Sequence, residues 1–140
     1  MSFAPEIHSL AGIWTYRSFR NSANLDEPFD QLEFGRAHIE IRKAPMGVLS
    51  GRIYDTGWEL ELNGSISYGA PFAVRFQGKG MVSGEEWIYD YTGFLSPAWP
   101  NGIEQRPALA GSIVRTVPHS GGKAPAGVVC SWYAVLDKPA

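Results

Sequence analysis

The chain has 140 residues, 44% hydrophobic and 19% charged, which is the composition of one folded domain with a single core, so residues 1–140 are read as one unit. A formal net charge of −2 and no block of Lys or Arg give a phosphate backbone nothing to hold, so nucleic acid is excluded as an expected partner. Cys130 is the only cysteine, which excludes an intrachain disulfide and a cysteine-based zinc site.

No apolar run approaches the ~20 residues that span a bilayer, and the first residues, MSFAPEIHSLAGIW, lack the basic and apolar regions of a secretory signal. A cytoplasmic protein without a membrane span is therefore expected. Aromatic residues make up 13% of the chain and there are 16 glycines, a combination suited to a curved sheet with bulky side chains turned inward.

Taken in order, residues 10–19 (LAGIWTYRSF) predict the first strand, with Trp14, Tyr16 and Ser18 on one face. Residues 21–28 form a polar turn. Residues 31–42 (QLEFGRAHIEIR) alternate regularly, placing Arg36, His38, Glu40 and Arg42 opposite Gly35, Ala37, Ile39 and Ile41. The apolar set favours the interior and the charged set the exterior. Short strands at 48–54 and 58–67 follow, separated by Asp55-Thr56-Gly57, and a fifth is predicted at 72–78. The sixth and seventh, at 87–95 and 108–117, bracket an irregular connection containing Pro97, Pro100 and Pro107. The last strand is predicted at 127–136 (GVVCSWYAVL).

No window has helical periodicity. About eight sequential strands joined mostly by short turns predict an all-β fold, an antiparallel up-and-down β-barrel closed so that no sheet edge is left exposed. A barrel of that size has room for side chains or one small ligand.

Gly12-Ile13-Trp14 on the first strand resembles the G-x-W signature of the lipocalin and calycin superfamily. The resemblance implies that Trp14 plugs one end of the barrel and that an apolar ligand enters at the other. It also implies a basic residue over that Trp; the last strand has no Arg or Lys, and Arg115 on the preceding strand is the candidate. Barrels of similar build include fatty-acid carriers, haem-binding proteins and cyclases of polyketide or lipid intermediates.

Several residues suggest a pocket. Trp87, Tyr89 and Tyr91 alternate on one strand face, where they form either a packed core or a cavity wall with two phenolic hydroxyls. The loop at 96–107 is a candidate cover for the barrel mouth, with Trp99 as its lid and Gln105 as a polar contact. Arg115 and Arg52, if they point inward, require a carboxylate from the protein or the ligand. His119 opens a glycine-rich loop and reads either as a solvated turn residue or as a proton-transfer group. His8, His38 and His119 have no ligand spacing, so no metal site is expected, and no cofactor motif is present.

These readings favour binding of a small apolar or amphipathic molecule with a polar or acidic group. The expected contacts are Arg52, Trp87, Tyr89, Tyr91, Trp99, Gln105 and Arg115. A cofactor-independent cyclase or isomerase using Tyr91 and His119 is the alternative. A protein-interaction module with an exposed aromatic patch is the third reading.

Overall fold

The computed structural model describes residues 10–140. Eight antiparallel strands pair each with the next, and the last pairs back onto the first, closing an up-and-down barrel. They are β1 (Gly12–Arg20), β2 (Glu33–Ile41), β3 (Val48–Asp55), β4 (Trp58–Ser67), β5 (Ala73–Val82), β6 (Glu85–Leu95), β7 (Ala108–Arg115) and β8 (Val129–Pro139). One helical turn, α1 (Phe29–Leu32), interrupts the β1–β2 connection. All eight predicted strands are present, with ends shifted by a few residues. The β1–β8 seam runs from Gly12↔Pro139 to Arg20↔Cys130, so neither strand is left as a free edge.

Alternation decides what is inside. Trp14, Tyr16 and Ser18 of β1 face the interior, as do Ala37, Ile39 and Ile41 of β2, Tyr89 and Tyr91 of β6, and Cys130, Trp132 and Ala134 of β8. Arg36 and His38 lie on the outer face of β2, as the pattern predicts. The interior is an aromatic stack: Phe76 lies parallel to Tyr91 at 4.6 Å, and Trp132 meets both rings edge-on.

Trp132 fits because β6 and β7 carry glycines opposite each other, Gly93↔Gly111, with Gly111 also opposite Trp132 on β8. A Cβ at Gly93 would come within 2.7 Å of the Trp132 ring, and one at Gly111 would overlap the Thr92 carbonyl. The indole N–H donates to the carbonyls of Thr92 and Ser112, at 3.2 and 2.9 Å, which satisfies its polar edge.

An even number of antiparallel strands gives the barrel two distinct ends. At one end are the start of β1 and the β2–β3, β4–β5 and β6–β7 connections. Trp14 is completely buried there, with its indole N–H on the Leu10 carbonyl at 2.9 Å. The other end carries the β1–β2, β3–β4, β5–β6 and β7–β8 connections. The candidate site lies at this second end.

Candidate functional site

A cavity of about 100 Å³ opens at the second end. Tyr16, Tyr91, Ile53, Leu60 and Ile113 line it, and Phe34, Arg36, Trp58, Trp87 and Tyr89 also border it. At roughly 10–15 Å³ per water position, that space holds several waters or one small organic molecule.

Phe34 reaches the cavity through a break in the β1–β2 register: Ser18 pairs with Gly35 but Phe19 pairs with Glu33, so Phe34 is the extra residue of a bulge. Strict alternation would have placed it on the outer face with Arg36.

Two phenols dominate the lining. Tyr16 is 5% exposed, and its hydroxyl has no hydrogen-bond partner among the described residues. Burial pushes the Tyr16 and Tyr91 hydroxyls well above the ordinary phenol range, so both remain protonated donors. The Ser18 and Tyr91 hydroxyls are close enough to act on it but form no bond of good geometry, and a buried donor in that state on a cavity wall marks a place where a ligand oxygen is favoured.

Beside the cavity, three buried polar side chains form one chain of hydrogen bonds. Arg115 Nε donates to the Tyr89 hydroxyl oxygen at 3.2 Å, and that oxygen lies 2.7 Å from His119 Nε2. The Tyr89 hydroxyl can donate to Nε2 in the neutral tautomer that carries its proton on Nδ1, and Nδ1 lies 2.7 Å from the hydroxyl of exposed Ser120. Burial first, and then the Arg115 charge, hold His119 below its ordinary value near 6.5, so the neutral form prevails.

His119 is fixed on all sides. Trp87 stacks on it at 3.8 Å between centroids, and paired backbone bonds to Ala124 close the loop behind it. Glu85 accepts from the Ser120 and Gly121 N–H groups, pinning the glycine-rich turn to β6. Of the two readings of His119, the solvated turn residue does not hold: the side chain is 5% exposed and bonded to the inward Tyr89.

Arg115 is also inward, 9% exposed, and among the described residues no carboxylate forms an ion pair with it. Its partners are Tyr89, the Pro125 carbonyl at 3.1 Å and the faces of Phe34 and Tyr89. It does not cover Trp14, as the family resemblance implied, because it ends β7 at the opposite end of the barrel.

Other expectations need correction. Arg52 points outward, held by Glu40 at 3.0 Å and Glu59 at 2.8 Å and lying over Tyr54, so it has no access to the cavity. The 96–107 loop joins β6 to β7 at the Trp14 end, and Trp99 there is 67% exposed rather than folded over the mouth. Gln105 braces that loop by bonding both the N–H and the carbonyl of Trp99. The β7–β8 connection lies at the cavity end, where its His119 stacks on the cavity-lining Trp87. Trp87, Tyr89, Tyr91, Arg115 and His119 do come together.

Sequence reading did not single out Tyr16, Phe34, Ser120 or Glu85. Tyr16 was detectable, since it shares the inward face of β1 with Trp14. Phe34 was not, because a bulge leaves no periodic signal.

The described residues contain no cluster of His, Cys, Asp and Glu able to hold a metal ion, and no helix long and apolar enough to cross a membrane. The closed eight-stranded barrel is compatible with a calycin-like fold. Comparison with family models, with curated proteins and with solved structures finds no match to this chain.

Proposed function

We propose that this barrel binds a small, largely apolar molecule bearing an acidic or strongly accepting oxygen. The observation that carries this reading is the Tyr16 hydroxyl, buried on the wall of an aromatic cavity with no hydrogen bond of good geometry. Arg115 is not itself a lining residue, but it donates to the Tyr89 hydroxyl on the cavity wall, and a buried guanidinium behind that wall whose partners are all neutral favours an anionic end group there. The apolar wall accepts a single ring or short branched chain, and few polar contacts fix its orientation. A calycin-like fold, with which the closed barrel is compatible, would fit this reading.

Benzoate is a suitable probe, with a ring for the cavity and a carboxylate for Arg115. Calorimetric titration should give 1:1 binding in the roughly micromolar to millimolar range for a ligand of this size. Arg115→Met should weaken it at least tenfold, whereas Arg52→Met, on the outer face, should leave it unchanged. If neither benzoate nor benzyl alcohol binds, the reading is wrong.

A further inference from the structure

The hydrogen-bond chain from Tyr89 to Ser120 does more than a binding site needs. Binding is served by donors fixed in place, yet here a phenol on the cavity wall is coupled through an imidazole to an exposed hydroxyl. The Tyr89 oxygen receives one N–H from Arg115 and lies 2.7 Å from His119 Nε2; in the Nδ1–H tautomer the phenol donates to Nε2, which leaves its oxygen a second lone pair. His119 Nδ1 then passes the connection to Ser120, which meets solvent.

We propose that Tyr89 is a catalytic residue that moves protons to and from the bound molecule, tautomerising small enolisable carbonyl compounds that carry an anionic end, with His119 holding the displaced proton.

The activity presupposes the binding mode described above. A carbon-bound hydrogen beside the substrate carbonyl passes as a proton to the Tyr89 oxygen, and the phenol's own proton passes to His119 Nε2. The electron pair of the broken C–H bond forms the C=C bond, while the carbonyl π pair moves onto oxygen. That enolate oxygen accepts the Tyr16 hydroxyl, the donor in the cavity wall without a hydrogen bond of good geometry. Tyr89, now carrying the substrate's proton, delivers it to the enolate oxygen as His119 returns its Nε2 proton to the Tyr89 oxygen, so the enol forms and both side chains regain their starting state, with Ser120 next to Nδ1 throughout. Nothing is oxidised, reduced or consumed. His119 acts through Tyr89 and is a positioning and proton-holding residue. The charged and titratable groups around it are Tyr89 and Glu85 from β6 and Arg115 from β7, and Trp87 covers its ring face. The lowered protonation range of His119 keeps the accepting form populated at neutral pH.

Phenylpyruvate combines a ring, a carboxylate and an enolisable methylene, and its enol is followed by ultraviolet absorbance. The full-length protein should speed its approach to keto–enol equilibrium above the buffer rate. Tyr89→Phe should reduce the acceleration by about 100-fold or more. His119→Gln should lower it and erase the fall in rate on the acid side of the pH profile, a change that loss of packing alone does not produce. Tyr133→Phe, on the outer face, should match the wild type, and thermal melts of each variant establish that it folds. An unaccelerated reaction with wild-type protein, or full acceleration by folded Tyr89→Phe, overturns the proposal. Calorimetric binding of phenylpyruvate separates the two claims: binding without acceleration overturns the tautomerase alone, and no binding removes both.

Discussion

Tyr16 and Tyr89 are chemically identical side chains on the same interior face, and the structure gives them opposite energetics. The Tyr89 hydroxyl serves both Arg115 and His119, so its removal leaves two buried polar groups without their partner. Tyr89→Phe is therefore expected to destabilise the protein by about 1–3 kcal/mol, read from denaturant unfolding. Tyr16 makes no hydrogen bond of good geometry, and a buried hydroxyl in that state is itself a cost. Tyr16→Phe should leave the ligand-free protein at least as stable as wild type while weakening benzoate binding, a split that a purely structural tyrosine does not give.

His119 adds a pH dependence. Its protonation range is lower in the folded chain than the ordinary value near 6.5, so between those two values the unfolded chain binds more protons. The contribution is fully present above about pH 6.5 and is lost as pH falls through the lower, folded value. Unfolding followed from pH 7.5 to 5 should show wild-type stability declining on the acid side. His119→Gln should flatten that decline, and an unchanged slope would remove the buried neutral imidazole from the account.

At the level of elements, two irregularities shape the interior. The bulge opposite Ser18 and Phe19 turns Phe34 inward, and the facing glycines of β6 and β7 make room for Trp132. Gly111→Ala should cost at least about 2 kcal/mol by overpacking, because the added carbon meets backbone rather than a movable side chain. A melting temperature equal to wild type would show that the strands can spread there.

The strands themselves were legible in the sequence because each has one buried face, and period-2 alternation records that directly. Trp87, Tyr89 and Tyr91 were legible for the same reason. Phe34 was hidden by the bulge. Arg52 misled because its alternation partners, Ile53 and Gly51, are the inward ones, which places Arg52 with the outer charges.

For the whole molecule, the parity of an up-and-down barrel determines which loops share an end. The proline-containing loop 96–107 was the natural candidate for a lid, but counting strands from Trp14 puts that loop beside the plug. The β7–β8 connection falls at the other end, and there His119, Trp87 and Glu85 hold it in place. Loop composition pointed to one end of the barrel, and the Tyr16 cavity lies at the other. Exposed Met46, Tyr68 and Trp99 belong to connections at the plugged end, separate from the Tyr16 cavity.

That separation of the two ends makes the central claim directly measurable. Intermolecular nuclear Overhauser effects from the ring protons of benzoate report which side chains surround it. The account predicts contacts with Phe34, Ile53 and Tyr91, all of which disappear in Arg115→Met at the same benzoate concentration. Contacts confined to Met46, Tyr68 or Trp99 would place the ligand on the plugged end and contradict it.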